Sequence, residues 1–150
     1  MQSPGRVTLK IAKSALDIGI VTRNPEAMLA FYRDILGLKL EAVMDMPGGG
    51  LMNRLRVGDS LLKIIQSDPE PPNDVTPGGI RTATGCRYWT IHISNLDESL
   101  DAIEREGYKI RLGRKTIRRG VDIAMIEDPD GNWLELVEKS RYRWIPWFRI

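Results

Sequence analysis

The residue types that carry most enzyme chemistry are scarce in this chain. It has one cysteine, Cys86, and one histidine, His92, among 150 residues. A single cysteine excludes an internal disulfide and a zinc centre built from several thiolates of one chain. A single histidine excludes every motif that needs two histidines from one chain.

Two carboxylates lie inside short apolar segments that are typical of strands. Asp17 lies between Leu16 and Ile18, and Glu135 lies between two leucines. Because side chains alternate between the two faces of a strand, each carboxylate points away from its apolar neighbours. Each of them either faces a cavity, as a base or a metal ligand, or faces solvent.

Five basic residues lie close together in the second half of the chain: Arg111, Arg114, Lys115, Arg118 and Arg119. They are predicted to flank a turn between two strands. There they either bind an anionic group or form a solvated hairpin. Aromatic residues are missing from this run, and 22 Lys and Arg stand against 20 Asp and Glu overall, so nucleic acid is not a predicted partner.

The elements that must position these residues occur twice. Residues 15–66 and 87–139 each have the order strand, helix, strand, strand, strand. An asparagine (Asn24, Asn95) precedes each helix, and a glycine (Gly37, Gly107) ends it, at a nearly constant shift along the chain. Each half is too small to bury its own sheet, so we expect one α+β domain.

The remaining segments are interpreted from their amino-acid composition. Residues 67–84 are rich in proline and glycine, and are predicted to be a linker or an ordered excursion. The aromatic tail, residues 140–150, is predicted to dock on a partner subunit or to cover the chain's own cavity. No apolar run is long enough to span a membrane and the first residues lack a secretory apolar core, which predicts a cytoplasmic protein without a membrane partner.

Two segments resemble the vicinal oxygen chelate superfamily. The first comprises residues 16–22 and 24–38, and the second runs from Asp128 to Leu136. This superfamily includes glyoxalase I, methylmalonyl-CoA epimerase, extradiol dioxygenases, and the fosfomycin and bleomycin resistance proteins. The resemblance implies two βαβββ modules whose strands curl around a shared cavity, and it implies a homodimer. It also implies that the turn with Arg111, Arg114 and Lys115 forms a substrate rim at the mouth of this cavity, where it could bind a carboxylate, a phosphate or a coenzyme A tail.

The resemblance also implies four positions that line the cavity. In metal-dependent members these are usually His or Gln, Glu, His and Glu. Matched residue by residue, they are Asp17, Lys63, Tyr88 and Glu135 in this chain. Asp17 and Glu135 could bind a divalent ion through oxygen, whereas Tyr88 is a poor ligand and Lys63 repels a cation. We therefore expect at most a weakly bound divalent metal ion and no other cofactor.

Two further roles depend on this match. Lys63 either lies in the cavity, as a countercharge between the two carboxylates that could polarise a substrate carbonyl, or lies on the outer face. His92 comes four residues after Tyr88 and thus shares its strand face. It is either an additional acid or base or a structural residue.

The resemblance implies two alternative functions toward a small molecule. The first is a lyase or isomerase that transfers a proton next to a carbonyl, with Glu135 as base or ligand and Asp17 as its partner. Either a metal ion, or Lys63 and Tyr88 in its place, holds the enolate charge. The second is a non-catalytic protein that sequesters a flat apolar ligand. Glu135 favours the enzyme, the altered ligand positions favour the binding protein, and the enzyme is the preferred interpretation.

Overall fold

The computed structural model describes residues 5–140 and contains the predicted repeat. The first module consists of β1 (Ile18–Val21), α1 (Pro25–Leu29) with a π-helical extension (Ala30–Ile35), β2 (Lys39–Asp45), β3 (Gly50–Val57) and β4 (Ser60–Ser67). The second consists of β5 (Tyr88–His92), α2 (Leu96–Arg105), β6 (Lys109–Arg118), β7 (Val121–Glu127) and β8 (Trp133–Lys139). A short 3-10 turn, Gly79–Arg81, lies between them. The α+β class and the two βαβββ modules are thus confirmed.

Each module forms one four-stranded sheet in which the last strand lies inside. The strand orders are β1-β4-β3-β2 in sheet 1 and β5-β8-β7-β6 in sheet 2. β4 pairs parallel with β1 and antiparallel with β3, and β8 pairs likewise with β5 and β7. A parallel pair needs a crossover connection, which includes the helix of each module. Within residues 5–140 no strand pairing joins the two sheets, so they do not close into a barrel.

The helix of the first module is less regular than its sequence predicts. The apolar spacing predicts one helix up to Leu36, but the helix widens after Leu29 into a π-helical turn. The Leu36 N–H there donates to the Phe31 carbonyl, five residues back, at 2.9 Å. The adjacent aromatic residues Phe31 and Tyr32 are both fully buried in this turn. The predicted glycine stop is confirmed, because Gly37 has the left-handed φ of 73°.

One apolar cluster joins the two modules. Its buried members come from both helices and from the inner strands, and include Phe31, Leu55, Leu62, Ile64, Leu96, Ile103, Ala124, Ile126, Leu134 and Leu136. Full burial of such a side chain stabilises the fold by about 1.5–3 kcal/mol. The modules therefore share one core, on the side of the sheets that the helices cover.

A buried hydrogen bond also joins the modules. The Tyr32 hydroxyl donates to Asp128 Oδ2 at 2.7 Å, and the Tyr32 ring lies 5.9 Å from that of Trp89. Asp128 also accepts the N–H groups of Asp130 and Asn132 and the side-chain amide of Asn132, each at 2.9 Å. Burial raises the pKa of Asp128, while these donors oppose the rise. The turn before β8 is thus built around a carboxylate that holds the first module.

The basic residues of the second module lie elsewhere than predicted. The sequence predicts a strand from Tyr108 to Leu112 followed by a turn, but β6 continues to Arg118. Arg111, Arg114 and Lys115 therefore lie within the strand, and the prediction that they flank the turn is wrong. Three irregularities in register let β6 follow β7 along its length. Because β6 is exposed from Arg111 onward, it lacks the apolar alternation that reveals a strand.

Residues 67–84 are an ordered excursion. Arg87 fastens this segment by donating to the carbonyls of Gly79 and Thr76 at 2.7 and 2.6 Å. Gly79 has a φ of 64°, and a Cβ there would lie 2.3 Å from the Trp133 ring, so only glycine fits this approach. On the side of the first module, Arg23 forms an ion pair with Asp74.

We predict that Tyr32→Phe lowers the free energy of unfolding by about 1–3 kcal/mol, because it removes one donor from a buried acceptor. The measurement is chemical denaturation at neutral pH. Tyr108→Phe is the matched control, since its ring packs on Phe31 but its hydroxyl makes no hydrogen bond within residues 5–140. Equal losses in the two variants would contradict a specific role for the Tyr32–Asp128 bond.

Candidate functional site

The polar side chains of interest lie on the face of each sheet opposite the helix, which we call the open face. On sheet 1, strand register places Gly19, Lys63, Arg54 and Ala42 in one row across this face. The next row is apolar and consists of Val21, Ile65, Met52 and Met44. Lys63 thus lies in an inner strand at the centre of the open face of its sheet.

Asp17 anchors one edge of this face. Its Oδ1 accepts the Leu61 N–H at 2.7 Å and the Lys13 ammonium at 2.8 Å. These two hydrogen bonds, with a smaller contribution from the charge of Lys63, hold the pKa of Asp17 below its usual range. The carboxylate therefore fixes the start of β1 beside β4, and these contacts compete with any metal ion for its oxygens.

The open face of sheet 2 gathers an acid–base set. The Thr90 hydroxyl of β5 donates to Glu135 Oε1 of β8 at 2.9 Å. Tyr88 and His92 lie on the same face of β5, one on each side of Thr90, and all three are exposed. Glu135 is half-buried beside them. Sequence reasoning omitted Thr90, although its position between Tyr88 and His92 with the same parity could have indicated it.

Asp17 and Lys63 belong to the first module, and Tyr88 and Glu135 belong to the second. Among residues 5–140, no hydrogen bond or ion pair joins Asp17 or Lys63 to Tyr88 or Glu135. In the same part of the chain, no three His, Cys, Asp or Glu side chains come together as a metal site. With a lysine at one position and Asp17 bound to another lysine, these residues do not fit the resident metal of metal-dependent relatives.

The two arginines predicted to form a substrate rim contact carboxylates of their own module. Arg111 forms an ion pair with the buried Glu127. Arg114 contacts Glu138, Asp122 and Asp97 at 2.6, 2.8 and 3.0 Å, and these bonds raise its pKa. Lys115 is exposed on the same strand. Binding of a ligand by Arg111, Arg114 or Lys115 stays a prediction.

Two predictions concern other parts of the chain. The aromatic residues of the tail, including Trp144 and Trp147, lie outside the described residues. Within residues 5–140, no helix has the length and apolar character needed to cross a bilayer.

Two βαβββ modules with a shared core define a glyoxalase-like fold. A family model described as the Glyoxalase/Bleomycin resistance protein/Dioxygenase superfamily matches residues 14–136. The chain belongs to this superfamily, as the sequence resemblance predicts. A comparison with curated proteins gives no match.

Solved structures agree with this fold. A glyoxalase family protein from Bacillus cereus is 15% identical with a TM-score of 0.75, covering 90% of this chain and 99% of that one. A glyoxalase/dioxygenase from Nostoc punctiforme is 18% identical with a TM-score of 0.68, covering 91% and 100%. A lactoylglutathione lyase from Agrobacterium tumefaciens is 20% identical with a TM-score of 0.60, covering 90% and 99%. At these identities the likeness shows the fold alone.

We predict weak binding of zinc and nickel, because Lys63 repels a cation and Lys13 occupies Asp17. The measurement is metal analysis of the protein after dialysis against a chelator and then against each ion. Lys63→Glu, which restores the carboxylate usual at this position, is expected to bind zinc more tightly than the wild type. One equivalent of metal retained by the wild type after the chelator step would contradict the prediction.

Proposed function

We propose that the protein binds a small organic molecule on its open faces and catalyses proton transfer next to a carbonyl, as a lyase or an isomerase. The observation that carries this proposal is the group of Glu135, Thr90, Tyr88 and His92 on the open face of sheet 2. Glu135 is held by the Thr90 hydroxyl at 2.9 Å, with a phenol and an imidazole on the same face. A base and two groups that can return a proton thus share one surface.

The proposed chemistry uses side chains alone. Glu135 takes the proton from the carbon next to the carbonyl, and the electron pair moves onto the carbonyl oxygen. The Tyr88 hydroxyl or the Lys63 ammonium holds the resulting enolate charge. In a substrate with a hydroxyl on the deprotonated carbon, return of the proton to the former carbonyl carbon gives an isomer, while the hydroxyl proton moves to the former carbonyl oxygen and a new carbonyl forms. In a substrate with a leaving group on the next carbon, the electron pair of the enolate expels that group and gives the product of a lyase.

A second copy of the chain brings Lys63 to this set in the proposed assembly. Apolar and aromatic side chains on the open faces are strongly exposed in the single chain, with Val21 50%, Met44 47% and Tyr88 46% accessible. Val7, Leu9 and Ile11, before β1, are exposed as well. Covering such surface is favourable by about 25 cal/mol per Å² of apolar area. This exposure supports a homodimer in which the open faces enclose the ligand.

One observation favours a second function. The apolar row of Val21, Ile65, Met52 and Met44 offers a surface for a flat apolar molecule, and methionine side chains adapt to varied ligands. A non-catalytic sequestering protein would use this surface without Glu135. The two functions are distinguished by whether a bound ligand also exchanges its protons.

We predict that the wild type accelerates solvent deuterium exchange at the carbon next to the carbonyl in a panel of 2-oxo acids, 2-hydroxyketones and hemithioacetals. Glu135→Gln is expected to lower this rate about 10²–10⁴-fold, as for removal of a general base. Proton NMR follows the exchange. Glu104→Gln, an exposed carboxylate of α2, is the matched control. Exchange that survives in Glu135→Gln would rule out Glu135 as the base, and binding without exchange would favour the sequestering function.

We predict a homodimer in solution at micromolar concentration. Sedimentation equilibrium of the full chain is expected to give twice the mass of 17.0 kDa. Met44→Glu, which puts a charge on the exposed apolar row, is expected to weaken the dimer. A protein that remains monomeric throughout this range would contradict the assembly.

A further inference from the structure

Two cationic side chains oppose each other on the open face of sheet 1. The register of the β3–β4 hairpin pairs Arg54 directly with Lys63, so both side chains leave the same face. Residues opposed in this way have Cβ atoms about 4.5–5.5 Å apart, and like charges in these positions destabilise a sheet. Because both residues are also half-buried, the arrangement costs stability that another role must offset.

Neither cation has a carboxylate partner among residues 5–140. The side chain of Arg54 makes one contact, to Met44 Sδ at 3.8 Å, and Lys63 makes no hydrogen bond or ion pair. Asp17 lies in the same region, but its oxygens accept bonds from Lys13 and from the Leu61 N–H. Glu41 and Asp17 thus attract Arg54 and Lys63 only over a longer distance, and neither cation has a carboxylate in hydrogen-bond contact among these residues.

The neighbouring arginine of the same strand shows the contrast. Arg56, two residues along the same face of β3, donates to both carboxylate oxygens of Glu41 at 2.8 and 2.9 Å. The same sheet therefore pairs Arg56 with a bidentate carboxylate, whereas Arg54, the neighbouring arginine on this face, has no carboxylate in hydrogen-bond contact among residues 5–140. A guanidinium and an ammonium at this spacing form a site for an oxyanion, because the guanidinium fork matches a carboxylate or phosphate and the ammonium adds a second charge.

The surroundings of the pair indicate the rest of the ligand. The apolar row of Val21, Ile65, Met52 and Met44 lies beside it on the same face. An anionic group bound at Arg54 and Lys63 thus places an attached ring or chain against this row. A free inorganic anion would leave the row uncovered.

The opposite module cannot neutralise the pair completely. By the repeat, Glu135 of sheet 2 corresponds to Lys63, and Met125 corresponds to Arg54. If the open faces meet in a dimer, one negative charge there faces two positive charges. An excess of positive charge remains for a ligand.

We propose that Arg54 and Lys63 bind the carboxylate or phosphate group of a small organic anion whose apolar part lies along Val21, Ile65, Met52 and Met44. This inference names the ligand class of the site under the proposed function and rests on that function for the site's location. Binding of an inert anion does not require turnover, so the two ideas are tested separately.

The test compares three probes of similar shape: phenylacetate, phenyl phosphate and the neutral phenylacetamide. Titrations of the full chain followed by amide NMR shifts measure each Kd. We expect phenylacetate or phenyl phosphate to bind with a Kd of roughly 1 mM, as small ligands of this size do, and phenylacetamide to bind at least about tenfold more weakly. The stronger of the two anions identifies the preferred oxyanion.

Variants then assign the binding to the two cations. Arg54→Met and Lys63→Met are each expected to weaken anion binding about 10- to 100-fold, as for loss of a hydrogen bond to a charged group, and to leave the melting temperature unchanged or higher. Lys109→Met, which removes an exposed lysine of sheet 2 that has no predicted role in binding, is the charge-matched control and is expected to leave the affinity unchanged. Glu135→Gln is expected to keep anion binding even where it abolishes exchange.

Two results would overturn the inference. The first is equal binding of phenylacetate, phenyl phosphate and phenylacetamide to the wild type. The second is unchanged anion affinity in folded Arg54→Met and Lys63→Met. Either result can occur while the exchange activity of Glu135 persists, so failure of the anion site is distinguishable from failure of the proposed function.

Discussion

A βαβββ module has one helix, which can cover only one face of its four-stranded sheet. The apolar residues of β4 and β8, such as Leu62 and Leu134, lie on the covered face and enter the shared core. Lys63 and Glu135 occupy the opposite face of the same two strands, because strand side chains alternate. Parallel pairing with β1 and β5 puts these strands inside their sheets. Lys63 and Glu135 thus lie at the centre of the two faces that no helix covers.

The shared core depends on the irregular helix of the first module. Its wide turn buries Phe31 and Tyr32 together, and the Tyr32 hydroxyl reaches the carboxylate of Asp128 in the second module. Asp128 also organises the turn that leads into β8 through the N–H groups of Asp130 and Asn132. One buried carboxylate therefore links module packing to the position of Glu135, seven residues later.

The repeat, the fold class and the superfamily could be predicted from the sequence, because Gly37 and Gly107 end equivalent helices and apolar patterns recur at equal spacing. The length of β6 could not be predicted, since its exposed basic residues show no alternation of apolar and polar side chains. Arg54 was missed because the resemblance directs attention to four matched positions. The sequence nevertheless contained the information that places Arg54 on this face. A two-residue turn at Gly58 and Asp59 fixes the hairpin register, and that register places Arg54 opposite Lys63.

The two modules have diverged in charge while keeping one backbone plan. On sheet 1 the central position is a lysine next to an unpaired arginine, whereas on sheet 2 it is a glutamate held by a threonine hydroxyl. A metal-binding cavity needs anionic or neutral donors from both modules, whereas in the first module Lys63 is a cation and Asp17 is engaged by Lys13. A positive charge fixed to the protein can replace one task of a metal ion, the stabilisation of an anionic oxygen, without its coordination geometry. A lysine at this position therefore offers no metal ligand but provides a group suited to an anionic ligand or enolate.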